Sequence, residues 1–169
     1  MTQFSKILDD RMSQMGISSR ELAFICGVSH VAVSNWRHGR TTPYAQHIGT
    51  LAQTLEMTNV ETALSVVEPE QHASHLSYYL TVVACASGYT KAMLTSVLGL
   101  PFGTLTRWTI YRFAVCEDHR RILYKALGLP LESSWHWAQC PPRQLKIEQV
   151  EKAVLNLNRY LQCTQRRTS

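Results

Sequence analysis

Residues 18–39 read Ser18-Ser19-Arg20-Glu21-Leu22-Ala23-Phe24-Ile25-Cys26-Gly27-Val28-Ser29-His30-Val31-Ala32-Val33-Ser34-Asn35-Trp36-Arg37-His38-Gly39, and their punctuation decides the fold. Ser18 followed three residues later by Glu21 fits a capping box, in which the hydroxyl accepts the Glu21 N–H and the carboxylate reaches back. The helix opened there is expected to carry Leu22, Ala23, Ile25 and Cys26 towards a core. Gly27 permits a tight turn, and Ser29 can cap the next helix. That helix presents Val33 and Trp36 inward and stops at Gly39. On the amino-terminal side, Phe4, Ile7, Leu8, Arg11, Met12 and Met15 follow a helical spacing that Gly16 ends. On the other side, after Thr42-Pro43, a fourth helix offers Ile48, Leu51, Leu55 and Met57 as its buried side.

Two short helices joined by Gly27-Val28-Ser29 give the geometry of a helix-turn-helix. Ser18 to Ala23, Gly27-Val28-Ser29, Val33-Ser34-Asn35-Trp36 and Gly39 with Pro43 together resemble the phage-repressor (Cro/C1-type) helix-turn-helix family. The resemblance covers about residues 4–57, within a first module taken as 1–57. It implies that the helix after Ser29 enters the DNA major groove, with His30, Val31, Ser34 and Asn35 facing the bases. Asn35 can pair with adenine, Ser34 can donate or accept, and Val31 can meet a thymine methyl. Ser19, Arg37, His38 and Arg40 would hold the DNA backbone, where contacts position but do not specify. Cys26 reads as a buried filler.

An ungapped offset of 72 aligns residues 16–57 with 88–129 and gives 8 identities in 42 positions. Identity that low carries weight only through its placement: Gly16/Gly88 and Gly27/Gly99 at turns, Leu22/Leu94, Trp36/Trp108, Leu51/Leu123 and Leu55/Leu127 at core positions. A second, divergent module is therefore expected at 75–129, with Thr90 as a cap and Pro101 near the first turn of its second short helix. Its contact candidates are Lys91, Phe102, Thr106, Arg107 and Arg112. Phe102 suits either a thymine or a protein partner, so two readings stand for this surface: DNA or protein.

Residues 58–74 read as a short helix capped by Asn59, then a linker broken at Glu68-Pro69-Glu70. Residues 130–169 form a C-terminal segment in which Trp135 and Trp137 serve packing. An amphipathic helix at 144–162 carries Ile147, Val150, Val154, Leu157 and Leu161 at alternating steps of 3 and 4. This seam either packs across the modules or joins a homodimer. The fold class is all-α: tandem helix-turn-helix-like modules with a C-terminal packing or dimerisation helix.

The chain has 169 residues and a net charge of +5, unevenly spread. Residues 1–71 net –2 (5 basic, 7 acidic), 72–142 net +3 (6 and 3), and 143–169 net +4 (6 and 2), so bulk charge argues only weakly for nucleic acid. Five cysteines without a Cys-x-x-Cys pair, and only His136, Cys140 and Cys163 as loosely spaced candidates, indicate no metal and no cofactor. No nucleotide-binding glycine loop or paired-acid pocket suggests an enzyme. Acids in MTQFSKILDDRM oppose a signal peptide. Residues 71–90 lack charged side chains but are broken by His72, Ser74, His75, Ser77 and Thr81, which opposes a membrane span.

The expected protein is a cytoplasmic, sequence-specific double-stranded DNA-binding transcription regulator. The family resemblance favours a repressor that occludes promoters or contacts RNA polymerase. A homodimer would favour an inverted operator, and a monomer using both modules two unlike half-sites. The competing class is a protein-interaction regulator, an antitoxin or a transcription-factor antagonist.

Overall fold

The computed structural model describes residues 2–110 and 115–168, with backbone alone for residues 165, 167 and 168. The first helix, α1 (Gln3–Met15), begins where the Thr2 hydroxyl accepts the Ser5 N–H and ends on Gly16 at φ +66°. Phe4, Leu8 and Met12 form its buried stripe. In α2 (Ser19–Cys26) the capping box closes: Glu21 N donates to Ser18 Oγ at 3.2 Å and Ser18 N to Glu21 Oε2 at 2.7 Å. Gly27 then turns at φ +64°, and Ser29 Oγ accepts the Ala32 N–H to start α3 (His30–Arg37). Val33 and Trp36 are buried as expected. One 3-10 turn, Ala45–His47, leads into α4 (Ile48–Thr54), whose Ile48 and Leu51 are fully buried, as is the following Leu55.

Ile25 corrects the sequence reading, for it is exposed rather than turned to the core. At about 100° per residue, Leu22, Cys26 and Ala23 span one arc of α2, and Ile25 falls about 60° outside it. The cap of α5 (Asn59–Val66) is also corrected. Thr58, not Asn59, accepts the Glu61 N–H at 3.1 Å, while Thr58 N donates to Glu61 at 2.8 Å, making a second capping box.

The central helix is α6 (His75–Ala86), buried on every side apart from Thr81. That burial is the physical meaning of the uncharged stretch around it, since no face is left for a charged side chain. Then follow α7 (Lys91–Val97), α8 (Thr104–Ile110), α9 (Glu117–Leu127), α10 (Leu131–Gln139) and α11 (Ile147–Thr168). Among the described residues there is no strand, and no helix is long and apolar enough to cross a membrane.

The offset of 72 recurs in the elements. Helices α1 and α6, α2 and α7, and α4 and α9 overlap after the shift, with Gly16/Gly88 and Gly27/Gly99 all at positive φ. The ring pair Trp36–His47, at 6.1 Å between centroids, has its counterpart in Trp108–His119 at 5.8 Å. The correspondence runs one helix further than the sequence alignment, because α5 and α10 also overlap. Thr62 and Ser134 match at that offset, both fully buried. It fails at α8, which starts at Thr104, two residues later than α3 would place it. Pro101 therefore lies before the helix, not in its first turn. Its carbonyl accepts from Thr104 N and Thr104 Oγ1, and Gly103 sits at φ +76°.

A single apolar core runs from Phe4 to Leu157. The break at Glu68-Pro69-Glu70 is present as a 3-10 turn, but α5 packs on α6, α4 and α1 across the span expected to be a linker. Helix α11 begins three residues later than expected and runs beyond 162. It lies on α9, α6 and α5, with Val150, Ala153 and Leu157 buried.

Candidate nucleic-acid interface

The outer side of α3 combines a capped helix start with exposed and half-exposed polar side chains. Trp36 and Val33 anchor it from below, and Ser29 fixes its start. His30 and Val31 are exposed, Val31 at 64%, in the first turn, while Ser34 and Asn35 are partly covered one turn later. The four base-facing candidates thus lie on one short helix, two of them exposed and two partly covered. Arg40 is exposed just beyond it.

The backbone-contact candidates are less free. Arg37 donates from Nε to Asp9 Oδ1 at 2.8 Å, also from Nη2 to the same oxygen, and from Nη1 to Ser19 Oγ at 2.9 Å. One guanidinium so ties the end of α3 to α1 and to the start of α2. Ser19 keeps a hydroxyl proton to donate, because its oxygen is the acceptor in that bond. His38 Nδ1 lies 2.7 Å from the Ser34 carbonyl, which can only accept. Nδ1 therefore carries the proton, and only the imidazolium could donate through Nε2 to a phosphate. At the start of α2, hydrogen bonds from Ser18 hold the Glu21 carboxyl below its usual range. Glu21 stays ionised there and competes with any anion for that helix end.

The second module presents a different surface. Phe102 is 86% exposed and sits in the turn ahead of α8, while Thr106 and Arg107 are exposed on the helix. Lys91 is half-buried, and burial lowers its ammonium pKa. Arg121, which follows on α9, is exposed and paired with Glu117 one turn away. Arg112 lies outside the described residues. Of the basic contact candidates Lys91, Arg107 and Arg112, Arg107 alone is both described and exposed.

The C-terminal seam is taken up within the chain. Val150 and Leu157 have no surface left, Val154 and Leu161 are partly covered, and Ile147 is exposed. Trp137 packs edge-on against His75 at 4.7 Å and Tyr79 at 5.2 Å. Trp135 instead faces solvent, a correction to the packing role expected for it. Its neighbours in the copy explain this: position 134 holds the buried small side chain and 135 points away. Cys140 Sγ lies 3.1 Å from His136 Nε2, and Cys163 is exposed. Among the described residues no group of three His, Cys, Asp or Glu side chains is placed to hold a metal ion.

Sequence reasoning missed two histidines near the start of α6, the partly buried His72 ahead of it and the buried His75 at its first position. Burial and the nearby Lys91 charge push His72 down to about 4, and burial with Arg143 lowers His75. His75 Nδ1 accepts the Arg143 N–H at 3.1 Å, which fixes its tautomer. The signal was their position in the uncharged stretch, where a histidine must be neutral. Comparison with protein-family models, curated proteins and solved structures returned no match.

Proposed function

We propose that this chain is a sequence-specific double-stranded DNA-binding transcription regulator that reads the major groove with the first turns of α3. The observation that carries the proposal is the capped, rigidly seated α3 with His30, Val31, Ser34 and Asn35 on its outer face and Arg40 beyond it. Recognition by α3 would follow helix-turn-helix docking, with α2 crossing the backbone. Repression is the favoured sign, by occlusion of a promoter.

The second module supports the reading as a scaffold more than as a second reader. Its helix starts late, Lys91 is half-buried and Arg121 is shared with Glu117 one turn away. One reader per chain makes a homodimer on an inverted operator the expected assembly. Its contact must use surface outside Val150 and Leu157.

A protein-interaction regulator is the second reading, and exposed aromatics favour it: Phe24 at 89% beside Ile25, and Phe102 on the other module. Selection of bound duplexes from a random pool, followed by footprinting, separates the two. An enriched motif with protection is expected; none at low or moderate salt removes the DNA reading.

A further inference from the structure

Between the two modules lies a cavity of about 410 Å³. The loop after α3 supplies Pro43 and Tyr44, the segment after α5 supplies Val67 and His72, and the second module supplies Cys85 and Lys91. No Asp or Glu lines it among the described residues. The Lys91 ammonium has no ion pair or hydrogen bond among those residues, and His72 Nδ1 is buried without a partner. A half-buried cation without counter-charge costs free energy, and an anion accepting from it would relieve that cost. The remaining wall mixes apolar Val66, Val67 and Ala84 with the uncharged polar Gln71, Thr81 and Thr109, and the volume falls in the range of small-molecule sites.

We propose that this cavity binds a small organic anion, a carboxylate or phosphate ester, with its charged end at Lys91, its apolar body against Val67 and Cys85, and the His72 ring beside it in the wall. Tyr44 and Pro43 follow Arg40 in the chain, so an occupant joins the end of the reading module to α6 and α7. It is then an effector whose effect on DNA affinity rests on the proposed DNA reading, whereas the binding itself does not.

Benzoate and phenyl phosphate serve as the two anionic probes, and benzamide as the neutral one. The readouts are the His72 imidazole resonances and the thermal midpoint. Saturable shifts with at least one anion are expected, with none from benzamide. Lys91→Met should weaken binding about tenfold or more, and Lys91→Arg should retain it. The responding anion identifies carboxylate or phosphate as the headgroup. No saturable shift with either anion, or equal affinity in Lys91→Met, overturns the site. Should Lys91→Met not fold, Lys91→Arg and the benzamide comparison decide. A chain that binds an anion this way but enriches no duplex keeps the site and loses the DNA reading. One that enriches a duplex but binds neither anion does the reverse.

Discussion

Asp9 holds Arg37 by two donors on one carboxylate oxygen, so the last turn of the proposed reading helix is braced by the first helix of the chain. The pair leaves 38% of the arginine and 44% of the aspartate side chain exposed, which limits its worth to about 0.5–1 kcal/mol. Asp9→Asn and Arg37→Met should each cost about that much in urea denaturation, and the double variant little more than either. On DNA, Asp9→Asn and a change at the exposed Arg40 should differ in sign. Asp9→Asn releases a cation and should steepen the salt dependence by about one, whereas Arg40→Met should flatten it by about one. An unchanged slope for Asp9→Asn would show that Arg37 never reaches phosphate.

Base reading has a separate signature. Asn35→Ala should lower preference for the selected motif by about 1–3 kcal/mol while leaving the salt slope alone. Equal losses on matched and scrambled duplexes, measured by competition, would take Asn35 off the bases.

Much of the first module was legible because its signals are local. Ser18 with Glu21, Gly27 and Ser29 act within four residues of themselves, and sequence contains all that they need. What escaped was longer in range. That Asp9 would claim Arg37 depends on how α1 packs beside α3, 28 residues away. The α5 cap is itself a local signal, since Glu61 stands in capping-box register with Thr58 and not with Asn59. Ile25 and Trp135 look apolar enough for a core, but only the angular position of their neighbours tells which way they point. The late start of α8 follows from Pro101 and Gly103, whose turn sequence aligned with a helix of the other copy.

The copy also contains a natural mutational experiment at positions 56 and 128. Glu56 takes φ +53° after α4, where its counterpart Gly128 takes φ +70° after α9. Left-handed backbone costs a side-chain-bearing residue about 1 kcal/mol, so Glu56→Gly should stabilise the chain by about 0.5–1 kcal/mol. Gly128→Ala should do the opposite. A Cβ there would stand 2.5 Å from Asn156 Nδ2, which donates to the Leu127 carbonyl at 3.0 Å. Strain plus a displaced cap predicts a loss of about 1–3 kcal/mol. Denaturation midpoints of the two variants should move in opposite directions.

Acid should weaken the fold through the histidines at the start of α6. His72 ionises near 6.5 when unfolded and near 4 when folded, so the unfolded chain binds more protons between those values. Stability is fully present above about pH 6.5 and is lost as pH falls towards 4, with His75 acting in the same direction. Partial solvent screening reduces the His72 share to about 1–2 kcal/mol. His72→Asn should flatten the stability profile across that window, as read from denaturation at several pH values. A profile as steep as that of the parent would remove His72 as its source.

The seam on α11 allows the packing and dimer readings of the C-terminal helix to be separated. Leu157 is fully buried against the rest of its own chain, while Leu155, two residues away, is half exposed. Leu157→Ala leaves a cavity and should cost about 2–4 kcal/mol, with sedimentation mass unchanged at concentrations where the variant remains folded. Leu155→Lys should leave the denaturation midpoint within about 0.5 kcal/mol of the parent, since that side chain has little core contact to lose. If Leu155→Lys lowers the mass while Leu157→Ala does not, the outer face of α11 joins two copies and the inner face joins the two modules. If Leu157→Ala lowers the mass without lowering stability, the helix leaves its own chain to pair with another, and the intramolecular seat described for Val150 and Leu157 is not the one used in solution.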